Sequence, residues 1–230
     1  MKHALRFAIE FWNADRSLSV LLVLLVILLF VVTPLAQVSG IGVVLNGAVF
    51  TLLAITGTAA VTRRVFVVAT VTLLGLARLL LDGFVRNPMA PGLVVGDLSL
   101  RAGFVLLIAV LVMVQILRPV HFTHHRVQGA VAIYLLAALA WAYAYEVLRL
   151  LDPHAFHIGA LGGASPNLAL FRFFSFETLT TLGYGDVLPV SSVARSLAAS
   201  EAVFGQLFPA VMITRLVSLE FAERTSRERD

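Results

Sequence analysis

Six stretches of this chain stay apolar for long enough to cross a bilayer, which takes about 20 residues, with a range of roughly 17–25. They lie at residues 18–35, 43–61, 65–81, 102–117, 127–151 and 193–217. The second is softened by Asn46, Gly47 and several threonines, and the third is interrupted only by Arg78. The fourth lengthens at its start if residues 98–101 join it, and Ser17 is placed to cap the first. A seventh apolar stretch, 168–182, is too short to span twice and too polar at its end to span once. Membranes tolerate such a re-entrant segment only where protein or a water-filled cavity surrounds it. The pattern predicts an all-α integral membrane protein with six transmembrane helices and a re-entrant helix between the fifth and sixth.

Composition agrees. Hydrophobic residues make up 60% of the 230 and charged residues 13%, against about 25% charged in soluble domains. The absence of cysteine excludes disulfides, thiol catalysis and iron–sulfur clusters. The net charge of +4 does not call for nucleic acid, because its distribution follows the membrane. Lys2, Arg6, Arg16, Arg63, Arg64, Arg118, Arg126, Arg215, Arg224, Arg227 and Arg229 fall on one side of the six spans, 11 of 17 basic residues. By the positive-inside bias both termini are expected in the cytoplasm and the re-entrant segment enters from outside. Residues 1–37 also have the basic start and apolar middle of a signal peptide. The run is long and the cleavage site poor, so an uncleaved span is expected, and the remaining topology is the same either way.

The chemistry sits between spans five and six, in Ser175-Phe176-Glu177-Thr178-Leu179-Thr180-Thr181-Leu182-Gly183-Tyr184-Gly185-Asp186. Residues 171–180 hold no Gly or Pro and suit a short helix, whose C-terminal end favours a cation nearby. Gly183 and Gly185 can adopt positive φ, and alternating them with side-chain residues lets successive carbonyls face one side. A row of carbonyls around an axis can replace the water shell of a potassium ion. The Thr181 hydroxyl adds an oxygen at the inner end, while Tyr184 points away and braces against aromatics. One chain supplies one wall, so closure takes four chains, a cyclic homotetramer.

At these residues the sequence resembles the potassium channel family, whose filter Thr-Val-Gly-Tyr-Gly stands here as Thr181-Leu182-Gly183-Tyr184-Gly185. Thr178, Thr180, Asp186, Pro189 and Arg195 agree too, and the resemblance covers about residues 127–217. It implies a pore domain over 127–230, of prokaryotic type, in a multi-pass protein of the bacterial inner membrane. It also implies potassium-selective passive conduction, with K+ held by the carbonyls of Thr181, Leu182, Gly183 and Tyr184 and by the Thr181 hydroxyl. Gly185 completes the filter and Thr180 supports it. Leu182 stands where Val or Ile is usual. It lies behind the carbonyls, so selectivity is expected to survive. In the bacterial pH-gated two-helix channels a Glu and an Asp matching Glu177 and Asp186 pair behind the filter; here that pair is expected to tune slow inactivation.

The remaining features shape gating. Gly205 and Pro209 in the sixth span form a hinge for an inner gate, or Gly205 permits close helix packing. Glu201, an acid inside a span, is functional by default and faces either the short helix or the cavity. Residues 1–126 resemble a voltage-sensor domain without its arginine repeat. Each sensor charge crossing the field is worth about 2.3 kcal/mol per 100 mV, and none stands between Ala102 and Leu117, so strong voltage gating is disfavoured. The 13 residues after Val217 leave no room for a ligand-binding domain, so gating by nucleotide or calcium is expected to need another subunit. Arg215, Arg224, Arg227 and Arg229 are placed to meet anionic lipid. His121, His124 and His125 read as an interfacial linker. No cofactor is expected beyond the permeant ion. A non-selective or non-conducting subunit is the alternative. An intramembrane aspartyl protease matches Gly183-Tyr184-Gly185-Asp186 formally, but it needs a second Asp within a span.

Overall fold

The computed structural model describes residues 18–38, 91–117, 124–159 and 168–227, together with the helical residues 47, 50–52, 55 and 57. Most of the second span and all of the third lie outside the described residues, as does His121. Among the described residues four helices are long and apolar enough to cross a membrane: Leu18–Leu35, Gly92–Val114, Arg126–Leu151 and Ser192–Ser218. Two compact units divide the chain, Met1–Pro88 with Ile108–Ile133, and Met89–Leu107 with Tyr134–Asp230. This division differs from the boundary at 126/127 expected from the sequence.

In the first unit, helix α1 (18–38) buries Leu18, Leu21, Leu25, Leu28 and Leu29, an i, i+3, i+4 stripe that repeats once per turn. The opposite face, with Val20, Val23, Ile27 and Phe30, is exposed, as a lipid-facing surface is. The segment Leu28–Val32 of α1 is π-helical. Pro34 lacks an N–H and its ring crowds the preceding turn, and the helix widens just ahead of it. The Leu28 carbonyl in the widened turn accepts both the Thr33 N–H and, at 2.8 Å, the Thr33 hydroxyl. Ser19 donates to Gln128 Oε1 at 2.5 Å.

Helix α2 (Pro91–Leu117) begins well before the apolar run at 102. Asp97 and Arg101 look like a break in sequence, but one turn apart they pair at 3.0 Å and the helix runs through them. Pro91 suits the first turn, where its missing N–H is not needed.

The second unit holds the elements that position the site. Helix α3 (His124–Leu151) belongs to this unit from Tyr134 on and is followed by Asp152, whose carboxylate accepts the His154 N–H at 3.0 Å. Strand β1 (Phe156–Ile158), helix α4 (Leu168–Leu179), strand β2 (Val187–Pro189) and helix α5 (Ser192–Arg227) follow. Strands β1 and β2 pair antiparallel, with Phe156 opposite Pro189, His157 opposite Leu188 and Ile158 opposite Val187. The Ser191 hydroxyl caps α5 by accepting the Ala194 N–H at 3.1 Å. Tyr145, Phe156, Phe171, Phe174 and Val187 form the core. The Tyr145 and Phe174 rings lie 4.9 Å apart, and Phe156 meets Phe171 edge-on at 5.0 Å.

Candidate functional site

Helix α4 ends in a Schellman arrangement. The Leu182 N–H reaches the Glu177 carbonyl at 2.8 Å and the Thr181 N–H reaches the Thr178 carbonyl at 3.1 Å. The left-handed residue such a cap requires is usually glycine. Here it is Thr181, with φ 58°, a rare conformation for a β-branched side chain. Gly183 and Gly185 follow with φ 60° and 85°. Every second residue from Thr181 to Gly185 is therefore left-handed, as the glycine spacing predicts for two of the three.

Both ends of this segment are tied. At the inner end the Thr181 hydroxyl donates to the Thr180 carbonyl at 2.7 Å and accepts the Gln206 Nε2 of α5 at 3.2 Å. The Thr180 hydroxyl donates to the Phe176 carbonyl at 2.6 Å. Tyr134 donates to the Leu179 carbonyl at 3.1 Å, an oxygen that the cap leaves free. At the outer end the Gly159 N–H donates to the Asp186 carbonyl at 2.9 Å, continuing the β1–β2 ladder. Tyr184 stacks on Phe173, ring centroids 6.0 Å apart and 3° from parallel, the aromatic bracing expected for it.

Behind the segment stand two acids. Glu177 is buried, and its Oε1 has no hydrogen-bond partner among the described residues. Burial first, and the Asp186 carboxylate second, raise its pKa above the ordinary range. Glu201 lies on α5 with no exposed surface. It faces α4 and α3: Tyr145 donates to its Oε2 at 2.5 Å, and Ser175 bonds its Oε1. Ser175 also reaches the Ala138 carbonyl at 2.7 Å. One carboxyl thus joins three helices. Glu146 pairs with Arg149, at 2.7 Å and 3.0 Å.

Gly205 meets the end of α4 at close range. A Cβ built there would lie 1.9 Å from the Leu179 oxygen and 2.8 Å from its carbon. Of the two sequence readings of Gly205, close packing is what the geometry displays. Pro209 sits inside α5 and leaves the Gly205 carbonyl without its usual helical donor.

Residues 132–221 match the family model described as an ion channel. Over these residues the chain is similar to that family. The protein LctB of Geobacillus stearothermophilus is 35% identical over 82 residues, 34% of this chain and 60% of that protein. The protein LctB of Bacillus caldotenax is 38% identical over 88 residues, 36% of this chain and 64% of its own. The chain thus spans less than two thirds of the length of these relatives. No solved structure matches it. The channel match contains the whole of the site just described, with its apolar spans, and it points to a channel rather than an enzyme. Gly183-Tyr184-Gly185-Asp186 lies within this channel-like domain. Sequence reasoning found Thr181–Asp186 in that domain but missed Gln206, Ser175, Tyr134 and Tyr145, whose polar groups gave no spacing signal.

Proposed function

We propose that the chain is a potassium-selective channel subunit, four copies of which close a pore around the carbonyls of Thr181, Leu182, Gly183 and Tyr184. The observation that carries this reading is the alternation of hand from Thr181 to Gly185 at the C-terminal end of α4. Such a backbone turns successive carbonyls the same way, and the helix end adds partial negative charge. Carbonyl rings of this kind replace a cation's hydration shell. In this reading α4 is a re-entrant pore helix, six spans place both termini in the cytoplasm, and the absence of charge from Ala102 to Leu117 makes gating weakly dependent on voltage. The basic residues after Thr214 meet anionic lipid at the inner face.

The test is flux from liposomes under opposed potassium and sodium gradients. The wild type is expected to reverse near the potassium equilibrium potential. Gly183→Ala adds a Cβ at φ 60°, a conformation that costs roughly 1–2 kcal/mol for an L-residue. Four such substitutions around one axis are expected to abolish potassium flux. A reversal potential that ignores potassium, or a G183A protein that conducts as the wild type does, overturns the proposal.

Glu177 carries a second expectation. Its pKa is higher in the folded chain than in the unfolded one, so stability falls as pH rises from the ordinary carboxylate range through the raised one. Current decay under sustained opening is expected to depend on pH above the ordinary carboxylate range, and Glu177→Gln is expected to remove that dependence. Decay that is the same in both proteins at every pH counts against the role.

A further inference from the structure

Helix α5 has two opposite faces. Ala194, Glu201, Gly205, Phe208, Met212 and Leu216 are buried. At about 100° per residue they fall on one side of the helix. Ser192, Ser196, Ser200, Gln206, Thr214 and Ser218 are exposed, and they fall on the other, interleaved with the exposed Val203, Leu207 and Val217. Several of the hydroxyls need nothing from outside the helix. Ser200 donates to the Leu197 carbonyl at 2.7 Å, Thr214 to Ala210 at 2.9 Å and Ser218 to Thr214 at 2.8 Å. Gln206 cannot satisfy itself this way. A carboxamide has two N–H donors and a carbonyl acceptor. Here it makes one hydrogen bond among the described residues, to the Thr181 hydroxyl at 3.2 Å. An apolar environment around the remaining groups is costly, so Gln206 itself calls for water or another polar group at the level of Thr181.

The bond also fixes the hydroxyl. The Thr181 hydrogen goes to the Thr180 carbonyl at 2.7 Å, and one oxygen lone pair takes the Gln206 N–H. One lone pair is left in a set direction. From this arrangement we infer that Gln206 determines how cations are held at the inner mouth of the pore. It orients the Thr181 hydroxyl and adds its own carbonyl beside it. Gln206 is a positioning residue for the oxygen and a direct contact for a hydrated cation arriving from inside. The inference rests on the pore reading above and goes beyond it, since that reading assigns no role to α5 at this level.

Barium from the inner side is the probe, being close to potassium in size and doubly charged. Gln206→Leu keeps the bulk and removes the carboxamide. Each of the four copies then loses one oriented oxygen contact, and a single such contact is worth about 1 kcal/mol, so block is expected to weaken at least about fivefold. Gln206→Glu places a carboxylate at the same point, and block is expected to strengthen about tenfold or more. Gln206 is exposed in the single chain, so both variants are expected to assemble as the wild type does. Opposite shifts in the two variants, with potassium still favoured over sodium, support the inference. Barium block within twofold of wild type in both variants overturns it. A wild type that carries no potassium current overturns the pore reading instead, so the two failures are distinct.

Discussion

Gly205→Ala is expected to prevent α5 from seating on α4 and so to abolish conduction. The added carbon would sit 1.9 Å from the Leu179 oxygen, well inside any van der Waals contact. Overpacking in a well-packed region costs typically 1–3 kcal/mol, occasionally more. Here the obstructing atoms are backbone at the end of a helix, so no side-chain rotation relieves the contact. The Leu179 carbonyl also holds the Tyr134 hydroxyl at 3.1 Å. Moving it breaks that bond and shifts the turn from which Thr181 starts. The measurements are the yield of assembled protein in detergent and potassium flux after reconstitution. A hinge role alone makes a different forecast: alanine is a good helix former, so G205A would assemble normally and only bias opening. Pro209→Ala separates the two further. It restores the helical donor to the Gly205 carbonyl while leaving the contact with Leu179 untouched, and it is expected to assemble. A fully assembled, conducting G205A protein removes the packing argument.

The second large effect is expected at Glu201. Its carboxyl is fully buried and serves Tyr145 and Ser175 together. Glu201→Ala leaves the Tyr145 hydroxyl buried without its partner and opens a cavity, each a known source of loss. Together they are expected to cost about 3 kcal/mol or more. Glu201→Gln is expected to be nearly neutral. A carboxamide can accept from Tyr145 and donate to Ser175, whose own hydrogen then serves Ala138. Tyr145→Phe tests the coupling: combined with Glu201→Leu it removes the stranded hydroxyl and is expected to recover much of the loss, as a double-mutant cycle reads. Thermal unfolding in detergent is the measurement. E201A as stable as the wild type discards the junction.

Much of the site was legible because its demands fall on residue identity. Positive φ calls for glycine, and Gly183 and Gly185 stand two apart. The third left-handed residue was hidden, because Thr181 gives no hint of its conformation until the helix cap is seen. Gly205 was legible as special but not as to why, since a hinge and a close approach both ask for glycine. Glu201 was visible as an acid in a span, yet its direction depends on helical phase relative to α4, which one sequence does not contain. The start of α2 was missed because a pairing one turn apart reads as a polar interruption in a linear scan. Strands β1 and β2 were missed because three residues each, one of them ending in proline, give too short a pattern for alternation to register.

That short ladder closes a loop. From Ala155, whose carbonyl accepts the N–H groups of Val190 and Ser191 at 2.8 Å and 3.2 Å, the chain leaves through α4 and Thr181–Asp186 and returns to its starting point. Ends joined in this way confine everything between them, and a segment so confined tends to open as one cooperative unit rather than residue by residue. The conformational freedom of Thr181–Asp186 is thus set outside it, by the six residues of β1 and β2.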